Sequence, residues 1–137
     1  MSDPRSPATA IETVLVVDDE VIARMVISEY LRLCGYRVIE AADSEEALAV
    51  LQHAELSVDV VLCGIGQVGA AGGFALAQWV RQHKSETDII LAGSYDRAAT
   101  AAAELCESGP NLAKPYEPQV VVDRIKKLLA LRSTPKK

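Results

Sequence analysis

Cysteine is scarce in this 137-residue chain, and the absence of closely spaced cysteines limits its chemistry. The three cysteines, Cys34, Cys63 and Cys106, are odd in number and far apart in the sequence. A zinc site needs closer pairs, and a disulfide framework is typical of short secreted chains with an even number of cysteines. Because all three have apolar neighbours, we expect buried thiols in a protein from a reducing compartment.

Long apolar runs, targeting signals and an excess of positive charge are also absent. No run reaches the ~18 apolar residues of a membrane span, and no segment has the layout of a signal peptide. The sequence therefore predicts a cytoplasmic protein without membrane contact. The net charge of −5 argues against nucleic-acid binding. Basic residues do cluster near the C-terminus, where we expect a solvated helix face: Arg124, Lys126, Lys127 and Arg132.

Length and composition predict a single domain. The chain is 50% hydrophobic, enough for one core, and it is too short for two domains. Residues 1–11 and 133–137 contain proline and polar residues with little apolar material, so we expect disordered tails around a domain at 12–132. No attached output domain is recognisable, and a stand-alone module is the expectation.

Short apolar strand patterns alternate with amphipathic helix patterns along the domain. Val14–Val17 is typical of a strand buried on both faces; a helical pattern starts at Val21 and stops at Gly35. Asp43-x-x-Glu46 has the form of a capping box. Further strands are predicted at 36–41, 58–63, 88–92 and 111–113, and further helices at 45–54, 74–83, 97–106 and from 118. Because each parallel crossover needs a helix, we predict an α/β fold with a doubly wound, five-stranded parallel sheet and five helices.

A glycine-rich segment after the third strand matches G-x-G-x-x-G at Gly64, Gly66 and Gly69. In a dinucleotide site this pattern follows the first strand, runs into a helix and is answered by an acidic residue ending the next strand. Here it follows the third strand, and the next strand ends at Gly93-Ser94 without an acidic residue. Nucleotide binding through residues 64–69 is therefore the disfavoured alternative.

The carboxyl ends of the strands are where a doubly wound sheet forms its functional crevice. The residues predicted at these ends are Asp18, Asp19, Gly64, Gly93, Ser94 and Lys114. Paired carboxylates such as Asp18 and Asp19 are hard oxygen ligands suited to a divalent cation. The sequence therefore points to an acidic pocket at this edge.

In order and spacing, these segments make residues 12–131 resemble the receiver domain of bacterial response regulators. The strand that closes on Asp18-Asp19, with Glu20 opening a helix, is similar to the family's paired acidic residues. Lys114-Pro115-Tyr116 is similar to its fifth-strand lysine followed by a proline that is usually cis. Val58–Gly72 follows its strand, loop and glycine signature. The resemblance implies a flavodoxin-like, receiver-type fold and a non-enzymatic role in phosphorelay signal transduction by a two-component system.

The chain departs from the family pattern where the chemistry takes place. The position of the phosphoacceptor aspartate falls on Gly64, which has no side chain. The switch hydroxyl position falls on Gly93, with Ser94 one residue further along. The Met-Pro and Asp positions of the intervening loop are occupied by Gln67, Val68 and Ala71. The resemblance is thus to a degenerate receiver, a pseudo-receiver.

Three functional positions of the family are retained, namely Asp18, Asp19 and Lys114. In the family, Mg²⁺ on the acidic residues neutralises charge while an aspartate accepts a phosphoryl group, and the lysine pairs with that group. With only two acidic ligands left, we expect no required cofactor and weak or absent Mg²⁺ binding at Asp18 and Asp19. We also expect Lys114 to turn towards them.

These expectations lead to a protein that acts by protein–protein interaction. The resemblance places its output surface on the fourth helix, fifth strand and fifth helix, and its partners among histidine kinases, phosphotransfer proteins and other regulators. A homodimer through the same face is a further expectation. The alternative is a phosphorelay receiver with a displaced acceptor. Cys63 should face the opposite layer from Gly64. We expect His53 and His83 to be surface residues.

Overall fold

The computed structural model describes residues 12–64, 72–108 and 115–133. Its strands are β1 Thr13–Val17, β2 Arg37–Ala41, β3 Val60–Cys63 and β4 Asp88–Leu91. Its helices are α1 Val21–Leu33, α2 Ser44–Gln52, α3 Gly72–His83, α4 Tyr95–Glu107 and α5 Pro118–Ser133. The described strands are parallel in the order β2-β1-β3-β4, which confirms the doubly wound α/β fold. The predicted fifth strand at 111–113 and the tail 1–11 lie outside the described residues, and α5 extends one residue into the predicted C-terminal tail.

Side chains of the central strands alternate between two apolar clusters, as the period of two requires. Val14 and Val16 belong to one cluster, together with residues of α1, α4 and α5. Leu15 and Val17 belong to the other, together with residues of α2 and α3. Three helices therefore cover one face of the sheet and two cover the opposite face.

The predicted local signals place the start and the end of α1 and the start of α2, whereas α2 ends at Gln52, before the predicted residue 54. The Glu20 carboxylate accepts the N–H of Ile22 at 3.1 Å, and Gly35, with φ of 100°, follows the last turn of α1. The Asp43 carboxylate accepts the N–H of Glu46 at 2.9 Å. The returning bond of the capping box runs from the N–H of Ala42 to Glu46, one residue before the cap. Each signal satisfies backbone groups that a helix end leaves unpaired.

The direction of α5 was not expected from the sequence. At its start, the carbonyl of Tyr116 accepts the Tyr30 hydroxyl at 3.0 Å. Further along, Arg124 pairs with Glu29 at 2.6 Å, and the last turn pairs with Glu20 through Arg132. Early residues of α5 therefore meet late residues of α1, so the two helices are antiparallel. The end of α5 consequently lies beside the carboxyl edge of the sheet.

Cys34 and Cys106 form a disulfide, which contradicts the expectation of three free thiols. Their Cα atoms are 5.3 Å apart although 72 residues separate them in the sequence. The expectation was wrong for this pair because α1 and α4 pack on the same face, which spacing along the chain does not reveal. In the chain-entropy model a loop of this length adds about 4 kcal/mol to stability. Cys63 is a buried free thiol, as predicted.

Alanine allows α4 to pack closely against its neighbours. Five alanines of this helix are buried, and Ala99 and Ala102 have no solvent exposure. They belong to the cluster that contains α1 and α5. Because protein interiors are filled at the density of crystals, a larger side chain at such a position has to displace its neighbours.

An Ala102→Leu substitution is expected to lower the free energy of unfolding by about 1–3 kcal/mol, because the added atoms overpack the interface of α4. Thr100→Leu is the matched control on the same helix. Thr100 is exposed, so its replacement should change stability by no more than about 0.5 kcal/mol. Urea unfolding measures both variants, and equal losses would contradict the packing described for α4.

Candidate functional site

The parallel register brings the ends of β1, β3 and β4 together at one edge. Val17 is paired with Cys63, and Cys63 with Leu91. The ladder continues for one residue, because the N–H of Gly64 donates to the Val17 carbonyl at 3.0 Å. Asp18 and Gly64 are therefore neighbours, as expected for residues that end adjacent parallel strands.

These strand ends surround a small cavity. Its lining consists of Asp18, Gly64, Ala92, Gly93, Ser94, Tyr95 and Ala98. The volume of the cavity is about 10 Å³, close to the minimum for one water molecule. The structure thus brings together four of the residues predicted at the strand ends, in a space too small for a nucleotide or a phosphoryl group.

Asp18 is the buried carboxyl of the pocket, with 8% of its surface exposed. Its Oδ1 accepts the N–H of Glu20 at 2.9 Å. Burial raises the pKa of Asp18 to about 6; the Glu20 N–H opposes the shift, and the negative charge of Asp19 adds to it. A carboxyl in such surroundings carries its charge at neutral pH against a desolvation penalty.

Gly64 occupies the position where any side chain would point at Asp18. An ideal Cβ at residue 64 would lie 3.0 Å from Oδ2 of Asp18 and 3.5 Å from its Cγ. The first distance is closer than ordinary van der Waals contact, so the Asp18 carboxylate would have to move by a few tenths of an ångström to admit a side chain. Position 64 therefore offers no nucleophile, and a side chain there would press against the Asp18 carboxylate.

Two arginines contact the acidic residues, and the sequence did not reveal either contact. Arg132 donates to both carboxylate oxygens of Glu20 at 2.9 Å, and this bond lowers the pKa of Glu20. Arg24 donates to the Asp18 carbonyl at 2.7 Å and to the Glu40 carboxylate at 3.2 Å. Arg24 lies one helical turn after Glu20, a spacing that could have suggested its position. The contact of Arg132 depends on the direction of α5, which no pattern in the sequence indicates.

Lys114 lies outside the described residues, and so does the peptide bond that joins it to Pro115. The predicted roles of Lys114 as pocket lysine and of Pro115 as a cis proline stay predictions. Residues 65–71 of the glycine-rich segment also lie outside the described residues. Of that segment's predicted site residues, the structure describes only Gly64.

Ser94, one of the two expected switch positions, caps a helix. Its Oγ accepts the N–H of Arg97 at 3.1 Å at the start of α4. The neighbouring Gly93 is exposed and has no side chain. The Ser94 hydroxyl therefore accepts a hydrogen bond that caps the start of α4. A switch function for Gly93 or Ser94 stays a prediction.

The side chains of the pocket fit a magnesium ion poorly. Asp18 is buried with a raised pKa, Glu20 is bound by Arg132, and Gly64 supplies no oxygen ligand. Across residues 12–64, 72–108 and 115–133, no group of three or more His, Cys, Asp or Glu side chains could hold a metal ion. Mg²⁺ normally demands near-octahedral oxygen coordination. Weak Mg²⁺ binding at Asp18 and the exposed Asp19 stays a prediction.

The residues considered as displaced phosphoacceptors have other surroundings. Cys63 is fully buried in the cluster with α2 and α3, and burial followed by the charge of Asp18 raises the pKa of its thiol to about 11. His53 is exposed, and its Nδ1 accepts the N–H of Glu55 at 3.2 Å. His83 is exposed and stacks on Trp79 at 4.6 Å between ring centroids. These positions confirm the core thiol and the two surface histidines.

Comparisons of the sequence and of the structure with known proteins lead to the same family. A model of the response regulator receiver domain matches residues 14–126. The probable transcriptional regulator ycf27 of Cyanophora paradoxa is 31% identical over 125 residues, covering 89% of this chain and 50% of that protein. The transcriptional regulatory protein ResD of Bacillus subtilis is 29% identical over 116 residues, covering 85% and 47%. The chain spans about half the length of the curated relatives it matches.

Solved receiver structures share the fold over almost their whole length. The chemotaxis response regulator CheY4 of Vibrio cholerae matches with a TM-score of 0.53 and 28% identity, covering 87% of this chain and 99% of that chain. A response regulator from Thermotoga maritima matches with a TM-score of 0.55 and 22% identity, covering 88% and 99%. At the latter identity the similarity supports the fold alone.

The raised pKa of Asp18 predicts a pH dependence of stability. Because the pKa is higher in the folded than in the unfolded chain, protonation favours folding. The gain is complete below about pH 4 and is lost as the pH rises through about 6. Asp18→Asn keeps the Oδ1 acceptor and should remove this pH-dependent contribution, raising the free energy of unfolding at pH 8 by about 1–3 kcal/mol. Urea unfolding at pH 5 and pH 8 in EDTA tests this; a variant less stable than wild type at pH 8 contradicts it.

The bond from Arg132 predicts a shift in the titration of Glu20. In Arg132→Gln the pKa of Glu20 should rise towards the ordinary value, because the charged donor is lost. Lys127→Gln removes an exposed positive charge from the same helix and should leave the pKa of Glu20 unchanged. NMR titration of side-chain carboxyl carbons measures both variants. The same pKa in wild type and Arg132→Gln would show that the pair does not persist in solution.

Proposed function

Because the chain belongs to the response regulator receiver domain family of two-component systems, we propose that it is an atypical receiver that signals without phosphorylation at position 64. The observation behind this proposal is the position of Gly64. It follows the last residue of β3 and lies beside Asp18, which follows the last residue of β1. Phosphoryl transfer to this position needs a nucleophile. Glycine has none, and the short distance to Asp18 disfavours a replacement.

The charges around the pocket support the same proposal. Arg132 donates to the Glu20 carboxylate and Arg24 donates to the backbone carbonyl of Asp18, so two permanent positive charges lie beside the acidic residues. Arginine stays charged at all physiological pH values. Part of the negative charge at this edge is therefore balanced by side chains of the protein itself.

We expect the protein to act through binding of another protein. α4 and α5 share one apolar cluster, and the outer side of α5 exposes Val120 by 47% and Leu131 by 63%. A histidine kinase, a phosphotransfer protein or another regulator is the proposed partner, and a second copy of the chain is the alternative. Arg124 and Arg132 are engaged by glutamates, which favours a protein over a nucleic acid as partner.

Two further expectations accompany this proposal. The described helices include none that is long and apolar enough to cross a membrane, and a cytoplasmic location stays a prediction. The stand-alone form also stays a prediction, and immunodetection of the protein in its native host would give the size of the chain that carries this domain.

Incubation with a small phosphodonor and Mg²⁺, followed by intact mass measurement, tests the proposal. We expect no phosphoryl adduct, because position 64 has no side chain and Cys63 is a buried thiol. A family member that retains the aspartate should be modified under the same conditions and serves as the positive control. A stoichiometric adduct on this chain would contradict the proposal and favour a displaced acceptor.

A Gly64→Asp variant shows how much of the pocket has been lost. We expect it to remain largely unmodified, because its Cβ would lie 3.0 Å from Asp18 Oδ2 and the two carboxylates would repel each other. Gly64→Asn, which adds a side chain of similar size without the negative charge, is the matched control for the steric effect on folding. Efficient modification of Gly64→Asp would mean that only the nucleophile is missing and that the remaining pocket is still competent.

A further inference from the structure

We infer that Cys34 and Cys106 form a reversible thiol–disulfide switch that fastens α4 to α1. The two residues are the only cysteines of the described cluster that contains α1, α4 and α5. Cys34 follows the last turn of α1, and Cys106 lies in the last turn of α4. Both are fully buried, and their Cα separation of 5.3 Å lies within the range of disulfides.

The position of the disulfide lets it control the attachment of α4. Near it, a second connection joins the same elements, because the Tyr36 hydroxyl donates to the Leu105 carbonyl. The remaining contacts of α4 with α1 and α5 come mainly from small alanine side chains, which bury little apolar surface each. Reduction therefore removes the one covalent connection from a helix with modest apolar contacts.

The opposite end of α4 reaches the acidic pocket. Ser94 caps this helix, and Tyr95 and Ala98 line the cavity beside Asp18. One rigid helix thus joins the cysteine pair to the carboxyl edge of the sheet. Loosening of α4 after reduction would change both the pocket wall and the surface that α4 shares with α5.

The third cysteine does not compete for this pair. Cys63 belongs to the cluster on the other face of the sheet, with α2 and α3. The sheet separates Cys63 from Cys34 and Cys106, so a disulfide between Cys63 and either of them would require the fold to open. Exchange within the folded chain is therefore restricted to Cys34 and Cys106.

Glutathione, a low-molecular-weight thiol, is a suitable co-reactant. In oxidation, the thiolate of one cysteine attacks oxidised glutathione, forms a mixed disulfide and releases one glutathione thiolate. The thiolate of the other cysteine then attacks the mixed disulfide and releases the second glutathione thiolate. Two protein thiols thus lose two electrons and two protons, and one glutathione disulfide becomes two glutathione thiols. Because the sulfurs are buried, exchange has to pass through a local opening of the last turn of α4.

The test equilibrates the chain in glutathione buffers of graded thiol-to-disulfide ratio, without a phosphodonor. Acid quenching, alkylation in denaturant and intact mass then count the thiols. We expect one alkylated cysteine in the oxidised form and three in the reduced form, with a reversible transition between them. Amide hydrogen exchange of α4 should be faster by on the order of tenfold in the reduced form, relative to α3 as internal reference.

Matched variants separate the switch from a general loss of folding. Cys63→Ala should keep the full response, whereas the double variant Cys34→Ala/Cys106→Ala should show fast exchange in α4 in every buffer. Far-UV circular dichroism checks that both variants are folded. Failure to form the disulfide at any ratio would overturn the inference, and so would equal α4 exchange in the two forms. Neither result depends on whether the chain can be phosphorylated.

Discussion

The close approach of Gly64 to Asp18 is the constraint on which the functional site depends. Parallel pairing of β1 with β3 fixes the two residues side by side, and an ideal Cβ at residue 64 would come within 3.0 Å of Asp18 Oδ2. The absence of a side chain therefore leaves a buried carboxyl, a very small cavity and no nucleophile. A receiver fold with this edge has no side chain at position 64, which supports the proposal that it signals without phosphorylation there.

The antiparallel packing of α5 on α1 accounts for the charge balance at that edge. The Tyr116 carbonyl accepts a hydrogen bond from Tyr30 in the second half of α1. Because α5 runs in the opposite direction from there, Arg132 reaches Glu20 at the start of α1. Arg24 adds a second positive charge beside Asp18. Glu20 is thus paired with a positive charge of the protein itself, whereas desolvation outweighs the nearby positive charge at the buried Asp18 carboxyl, whose pKa is raised.

The sequence predicted the features that are encoded locally. Apolar runs and cap residues placed the described strands and helices within a few residues, and strand order brought Asp18 next to Gly64. Features that depend on how distant elements pack were missed. The disulfide between Cys34 and Cys106 required α4 to lie beside α1, and the contact of Arg132 required the direction of α5. Neither arrangement has a periodic or motif-like signal in the chain.

The proposal that the chain signals without a bound cation and without phosphorylation at position 64 can be tested at the acidic pocket itself. Backbone amide NMR spectra recorded before and after addition of Mg²⁺ and a small phosphodonor test it most directly. We expect the resonances of Asp18, Asp19 and Gly64 to stay in place through millimolar Mg²⁺. Saturable shifts at these three residues, followed by a second set of resonances with the phosphodonor, would contradict it.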